Sequence, residues 1–542
     1  MKRSLLLLLA TGLCATSLAA KVPPSKSAAA DPVVLRDAKS DAFLKGRFRI
    51  GFYLYLWGWE QGKNREIRDV DRAIHQMADM GFNYVYIAGA ADNELWQDVL
   101  KICLERRIAI VAQLGGGAYL TMSSNIEKQA AIASDFITKY KDHPAVISFL
   151  IKEEPNLAFL PRIQEYYTKV LEKIPDAPLY LLHNQLASAR AEQPPYPKYT
   201  GTDRYPFWWE FGLNNNRASP ASAFKWYHTQ IDAYYQLAAE RGQNFEVVLT
   251  DWVQQLERDK DQLINSIYPK TADEKARQAV VDRLLRLADA GNHGVERGKD
   301  GNIHIWKYYR PPANAMAAQA WLAVMEGADA LSVYTWSQAR QRETSRTSGT
   351  LGWNGEALPS TLEYAQFARE IAPFGRLLRG ISKETTPILN EPEGHEEVIT
   401  EAPRNPPIAV NDDNTVWRSF TIPGFKGKII ILVNTKIGEW SEGRSPYRLT
   451  ENDLFRIDHE GNLVDYVPHY LPRSVNTRIL TRETEVINLS TGRELTQGEA
   501  HDVAVNIPPG RGVILFLAPK GSDEKQRLLE TFNLSGDPLA VR

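Results

Sequence analysis

Between residues 48 and 378, short apolar runs rich in β-branched and aromatic residues alternate with longer stretches whose apolar positions recur every three or four residues. The short runs are Arg49 to Leu56, Tyr84 to Ala88, Ile108 to Gln113, Val146 to Ile151, Leu179 to His183, Thr200 to Tyr205, Glu246 to Asp251 and Ala330 to Tyr334. The longer ones predict helices over Asp69 to Met80, Glu94 to Arg106, Asn125 to Tyr140, Arg162 to Lys173, Ala221 to Arg241 and Ala313 to Glu326. Several of these end in Gly just before the next strand, as at Met80-Gly81 and Glu326-Gly327, where a helix C-terminus favours a left-handed residue.

Strands separated by helices force parallel pairing, and eight such units over roughly 330 residues predict an α/β chain folded as a (β/α)₈ TIM barrel with insertions. A doubly wound open sheet is the structural alternative, but no Gly-rich phosphate turn follows the first strand. The largest insertion, residues 256 to 305, lies between the seventh and eighth strands and predicts one helix, Thr271 to Ala288. Past residue 380 the helical period stops. The runs Val416 to Thr421, Lys428 to Asn434, Thr484 to Asn488 and Val513 to Leu517, separated by turn residues, predict an all-β sandwich. The domain plan is thus a barrel over 46–379 and a sandwich over 380–520. An Ala-, Ser-, Pro- and Lys-rich segment over 21–45 reads as a flexible leader, and a charged stretch over 521–542 as a tail.

The first 20 residues, with Lys2 and Arg3 before an apolar run and then small residues, read as a signal peptide, so the expected location is secreted or periplasmic. Leu13 directly before Cys14 argues against lipid attachment there. Cleavage leaves Cys103 as the one cysteine, set among Val99, Leu100, Ile102 and Leu104 on a helix face, which reads as core and excludes an internal disulfide. A net charge of −2 with no long run of one sign gives no electrostatic reason to expect nucleic acid as partner. No later segment reaches the roughly 18 apolar residues of a membrane span. No His/Cys cluster has metal-ligand spacing, and no cofactor motif stands out.

A barrel carries its working residues at the C-terminal ends of its strands. Here those ends hold Trp57 and Trp59; Gln113; Glu153 and Glu154; His183 and Asn184; Asp203 and Tyr205; Asp251, Trp252 and Gln254; Tyr334 and Trp336. Flat rings stack on the apolar faces of pyranoses, while acids and amides bind hydroxyls or move protons, so the set points to a carbohydrate substrate. Each aromatic taken alone could equally fill the barrel mouth as core. Glu153 could form a salt bridge with Lys152 or a rim arginine, and His183 could bind either substrate or a carboxylate. Because strand side chains alternate, Glu153 and Glu154 should diverge unless the strand has already bent into its loop.

The stretch Asp142-His143-Pro144-Ala145-Val146, its following strand, and Lys152-Glu153-Glu154-Pro155-Asn156 resemble the fourth strand of clan A glycoside hydrolases. Gly201-Thr202-Asp203-Arg204-Tyr205-Pro206 is similar to a sixth-strand segment of that group, and Arg310-Pro311-Pro312 through Trp336 to the seventh helix and eighth strand of family 42-like proteins. The resemblance implies glycosidase activity with Glu154, the Glu before Pro, as general acid/base. Two departures stand out: Glu153 replaces the usual Asn, and Asp251 stands where a nucleophilic Glu is usual. Asp251 is the first choice for the second catalytic carboxylate and Asp203 the second; Glu154 is expected to have a raised pKa. Two other readings keep the fold: a barrel that binds glycans without cleaving them, and a glycosidase using direct water attack or substrate assistance.

Overall fold

The computed structural model describes residues 37–55, 67–90, 94–206, 220–250, 253–255, 295–297, 303–305, 307–309, 313–334, 336, 339–342, 345–347, 357, 359–384, 409–410, 415–437, 475–480, 484–496 and 502–534, together with Lys275, Gln278, Asp282 and Arg286. Eight parallel strands close into a ring: β1 (Arg49–Tyr55), β2 (Tyr84–Ala88), β3 (Ala109–Gln113), β4 (Val146–Glu153), β5 (Leu179–His183), β6 (Tyr199–Thr202), β7 (Asn244–Thr250) and β8 (Ala330–Tyr334). Each pairs with its neighbours in sequence, and β8 returns to β1 with Arg49 opposite Ala330. The helices around the ring are α2 (Ile67–Asp79), α3 (Trp96–Arg106), α4 (Ile126–Tyr140), α5 (Leu160–Lys173), α6 (Leu186–Ala191), α7 (Pro220–Glu240), α8 (Ala313–Met325) and α9 (Pro359–Ile371). Asn125 caps α4 by accepting from the Lys128 amide at 3.0 Å, which sets its first residue at Ile126. Cys103 is buried in α3, as its pattern predicts.

The alternation of strand side chains divides the core in two. Outward residues such as Phe52, Val85, Ile110, Phe149 and Leu249 meet the helices in one large apolar core. Inward residues fill the lumen, and they are largely tyrosines: Tyr53, Tyr84, Tyr86, Tyr180 and Tyr199, with Leu150, Leu182 and Val248. Gly201 faces this packing. A Cβ there would lie 2.3 Å from the Tyr180 hydroxyl and 2.8 Å from the Glu246 carbonyl, so only glycine leaves that ring its place.

Helix α1 (Ala38–Leu44) lies in the segment expected to be a flexible leader, and it corrects that expectation for residues 37 onward. Leu44 joins the lumen packing, and Asp37 meets the fully buried Arg49 at 3.0 Å, so α1 packs at the N-terminal foot of the ring. Asp41 also accepts from Arg379 at 2.6 Å. The expected tail is corrected in the same way. A helix over Glu524–Thr531 buries Leu528, and Glu524 accepts the amides of Lys426 and Gly427 at 2.7 and 2.6 Å.

The C-terminal part is a sandwich of two antiparallel sheets. One has six strands in the order Ser382–Lys383, Thr415–Thr421, Lys428–Asn434, Gly512–Pro519, Thr484–Asn488, Arg493–Glu494; the other pairs Ala409–Val410, Val475–Leu480 and Asp502–Ile507. Ile430, Leu432 and Leu515 pack between the sheets against Val503, Val505 and Ile507. The opposite face of the larger sheet, with Ile429, Ile431 and Phe516, joins the outer core of the barrel. An ionic cluster closes this seam. Glu326, directly after α8, takes Lys383 at 2.9 Å, Arg418 at 3.0 Å and His228 at 3.3 Å, and Lys383 also binds Asp232.

Of the helix expected over Thr271 to Ala288, Lys275, Gln278, Asp282 and Arg286 are helical, and the remainder lies outside the described residues. Among the described residues, no helix is long and apolar enough to cross a membrane, and no group of His, Cys, Asp and Glu could hold a metal ion.

Candidate active site

Two irregularities in β4 decide what reaches its C-terminal end. The register with β3 slips at Ile147 and that with β5 slips at Ile151, so β4 carries an extra residue against each neighbour. Ile147 and Leu150 therefore both face the lumen although they lie three apart, while Ile151 turns to the outer core. The second slip brings Glu153 inward as well. Its Oε1 accepts the hydroxyls of Tyr53 at 2.5 Å and Tyr86 at 2.8 Å, and those two rings stack with centroids 3.6 Å apart. The carboxyl of Glu153 is thus tied to phenols. Lys152 turns the other way, to the hydroxyl and ring of Tyr119, so the salt bridge considered for Glu153 is not the contact it makes.

Glu154 is the first residue past the strand. Its amide still donates to the Leu182 carbonyl at 2.8 Å, but its φ is +46°, a left-handed conformation costly for a side chain bearing a Cβ and foreign to a residue before proline. That bend resolves the divergence expected of neighbours: Glu153 enters the lumen, whereas Glu154 stays exposed at the rim. There its Oε2 accepts from the Asn184 amide at 3.1 Å, and its carboxyl is hydrogen-bonded to Asp203. Asn184 follows β5 directly and Asp203 follows β6 directly, so three adjacent strand ends assemble the cluster.

Electrostatics separates the acids. Asp203 is 7% exposed, and burial, reinforced by its hydrogen bond to Glu154 and by the charges of Glu154 and Glu153, raises its pKa well above the usual carboxylate range. Burial also raises Glu153, partly countered by its two tyrosine donors and reinforced by Glu154. The phenols of Tyr53, Tyr86, Tyr180 and Tyr205 are all raised, chiefly by burial and then by nearby carboxylates: Glu153 for Tyr53 and Tyr86, Glu246 for Tyr180, and Asp203 for Tyr205. The raised carboxyls of the rim are thus Asp203 and Glu153.

The other expected residues distribute unevenly. Gln113, Asn184, Tyr205 and Tyr334 are half-buried on the same rim, and the Tyr334 ring meets Tyr53 edge-on at 5.5 Å. Trp336 is a correction: at 1% exposure it packs edge-on against Phe52 and Phe82 in the outer core, because the chain past β8 turns it away from the mouth. His183 is a second correction to the substrate-contacting set. As the residue after the inward Leu182 it points outward, fully buried, to Ser188 at 3.2 Å and Glu192 at 3.8 Å. Trp57, Trp59, Asp251 and Trp252 lie outside the described residues. Gln254 lies on a short strand, Val253–Gln255, paired with Lys307–Tyr309.

The lumen also holds a carboxylate that the strand-end reading misses. Glu246, the third residue of β7, accepts Tyr84 at 2.5 Å and Ser332 at 2.9 Å deep in the ring. The signal for its partners is in the sequence: Tyr53-Leu54-Tyr55 and Tyr84-Val85-Tyr86 place phenols at period two on one face of β1 and β2.

No protein-family model matches the chain, and no curated protein matches it. Among solved structures it is similar to a β-glucuronidase of Faecalibacterium prausnitzii, at 16% identity and a TM-score of 0.36 over 60% of this chain and 49% of that one. It is similar to a protein described as a glycoside hydrolase, at 10% identity and a TM-score of 0.43 over 88% and 93%. A GH2 β-galacturonidase of Eisenbergiella tayi bound to galacturonate gives 12% identity and a TM-score of 0.37 over 60% and 51%. The chain spans about half the length of the glucuronidase and galacturonidase it matches.

Proposed function

We propose that the chain is an exported glycoside hydrolase that cleaves glycosidic bonds in an oligo- or polysaccharide, with Glu154 exchanging the proton with the leaving oxygen. The observation that carries this reading is the hydrogen-bonded pair of Glu154 and Asp203 at the C-terminal rim, one carboxyl exposed and one buried. Two acids in direct contact share one proton rather than ionise together. The pair is therefore a charged acid site at pH values where a lone carboxyl would be empty. As the glycosidic bond breaks, Glu154 delivers the proton to the departing oxygen and Asp203 replenishes it. The resemblance of this strand end to the clan A motif supports the same assignment.

A hydrogen-bonded pair leaves no space for an anomeric carbon, since acid and nucleophile stand about 5 to 5.5 Å apart in retaining enzymes and farther in inverting ones. Asp203 is thus the proton partner of Glu154, and Asp251, which follows β7 in sequence and lies outside the described residues, is the candidate for the second catalytic carboxylate. Glu154→Gln tests the scheme. Turnover of natural-type glycosides should fall by about 10²- to 10⁴-fold, while glycosides of the acidic leaving group dinitrophenol should lose much less. Equal losses on both, with the fold intact by circular dichroism, would exclude Glu154 as the proton donor. Proton NMR of the first-formed anomer then assigns Asp251 as nucleophile (retention) or base (inversion). Glycan binding by the unaltered protein with no turnover on prolonged incubation would favour the binding-only reading.

A further inference from the structure

Behind the strand end that supplies Asn184 lies a buried polar cluster. His183, the last residue of β5, points out of the ring and is fully buried. Its Nδ1 shares a hydrogen bond with Ser188 Oγ at 3.2 Å, and its Nε2 faces Glu192 Oε2 at 3.8 Å. Glu192 is held in turn, accepting from the Arg241 guanidinium at 3.1 Å and the Tyr167 hydroxyl at 3.3 Å. Ser188 lies in α6, Glu192 directly after it, Tyr167 in α5 and Arg241 directly after α7. His183 is thereby tied to α6 and, through Glu192, to α5 and α7. A serine, a histidine and a carboxylate in this order are also the parts of a nucleophilic triad, but here all three are 0 or 1% exposed, so no substrate reaches the hydroxyl.

Two features of the chain carry this restraint to the rim. Asn184 and Gln185 alone separate β5 from α6, so the bond from His183 to Ser188 pins both ends of the connection that bears Asn184. His183 is also in register with Thr202 of β6, so the residues that follow each, Asn184 and Asp203, arrive together at Glu154. By donating to Oε2 at 3.1 Å, Asn184 fixes one oxygen of that carboxyl and with it the direction in which the other faces. On the reading that Glu154 delivers the proton to the leaving oxygen, we propose that His183 is a positioning residue for that step: through Ser188 and Glu192 it holds the end of β5 so that Asn184 aims the carboxyl of Glu154. A misplacement of about 1 Å in a reacting group costs on the order of 10²-fold even when its cause lies away from the chemistry. His183 does not touch the sugar, so its effect falls on proton transfer and not on substrate binding.

The experiment uses the full chain and two kinds of glycoside: those with natural-type leaving groups, which need the proton, and those of dinitrophenol, which need it little. His183→Leu should lower kcat on the first by about 10- to 100-fold with KM nearly unchanged, and on the second by about threefold or less. Ser188→Ala removes only the bond across the turn; it should give a smaller loss of the same kind, and it carries the test if His183→Leu does not fold. His183→Asn, whose amide stands near the place of Nδ1, should recover part of the loss. In an Asn184→Ala background, His183→Leu should cost no more than about twofold further, because the aim is already lost. Independently of turnover, the carbon-13 resonance of the Glu154 carboxyl, assigned with Glu154→Gln, should titrate at higher pH in His183→Leu and in Asn184→Ala alike, since the charged carboxylate has lost a donor. Glu153, Asp203 and Tyr205, the titratable groups beside Glu154 among the described residues, are the same in all these variants. Equal losses on the two kinds of glycoside, additive losses in the double variant, or a titration that stays in place would overturn the proposal. Turnover without the selective loss would overturn it and leave the hydrolase reading standing. No turnover of any glycoside, with the titration moved as expected, would sink the hydrolase reading and leave His183 as the residue that sets Asn184 on Glu154.

Discussion

The barrel lumen and the seam between barrel and sandwich both bury carboxylates, and they accommodate them by opposite means. In the lumen Glu246 and Glu153 are hydrogen-bonded by tyrosine and serine hydroxyls, and although the charges of Arg49 and Lys152 lower them, burial leaves both raised above the ordinary carboxylate range. At the seam Glu326 is equally buried, yet Arg418, Lys383 and His228 pull it far below that range. Neutral donors hold a buried acid in place without fixing its charge, whereas cations fix the charge. Acids whose protons can move therefore sit in the ring and at its mouth, and the acid whose charge is locked joins the two parts of the fold.

The signs of the pH effects follow and differ. Stability from Glu326 is present above the unfolded carboxylate value, about 4.3, and is lost as pH falls toward its depressed folded value. Stability linked to Glu246, Glu153 and Asp203 is greatest below the unfolded values and is lost as pH rises through their elevated folded ones.

The seam offers the largest break. Lys383→Met takes the amine from Asp232 and leaves Glu326 with Arg418 and His228, and should cost about 3 to 5 kcal/mol in urea unfolding at neutral pH. The deficit should narrow as the solution is acidified and the two carboxylates protonate. A loss below about 1 kcal/mol, unchanged by pH, would mean that the cations do not hold this seam. In the lumen, Tyr84→Phe removes one of the two hydroxyl donors of Glu246 and should cost about 1 to 3 kcal/mol. Here the deficit should widen with rising pH, because the charged form loses its donor. Opposite slopes for the two variants would establish the contrast, and parallel slopes would abolish it.

The rim can be probed through activity. Asp203→Asn replaces the carboxyl whose pKa burial and Glu154 raise with an amide that does not titrate. The alkaline limb of the kcat/KM profile should move to lower pH, and a limb that stays in place would separate Asp203 from the proton that the reaction uses.

Much of this was legible in the sequence. Strand and helix periods placed all eight ring strands to within a few residues, because burial on two faces leaves an unmistakable apolar run. Glu154 emerged from its local motif. The three-residue spacing of Ile147, Leu150 and Glu153 was not legible, since the slips that create it depend on the register with β3 and β5 rather than on β4 itself. Alternation continued from lumen-facing Leu150 sends Glu153 away from the tyrosines it binds. Trp336 failed for a related reason: an aromatic one turn past a strand end looks the same in sequence whether the chain bends toward the mouth or back toward Phe52. Helix α1 escaped notice because its burial comes from the foot of the ring, through Asp37 and Arg49, and not from an amphipathic period of its own.

The smallest expected effect sharpens the contrast most directly, because it asks whether the rim is built for stability at all. Glu154 occupies a left-handed backbone conformation that costs a residue with a Cβ about 1 to 2 kcal/mol and costs glycine almost nothing. Glu154→Gly should therefore raise stability, offset in part by the greater freedom of glycine in the unfolded chain and by loss of the bonds to Asn184 and Asp203. The expected net is a gain of up to about 1 kcal/mol in urea unfolding, accompanied by loss of turnover. No comparable gain exists at the seam, where removing a partner strands a charge. A destabilised Glu154→Gly would show instead that the side-chain bonds outweigh the backbone cost, and that the bend at this rim holds the barrel together instead of aiming an acid at a substrate.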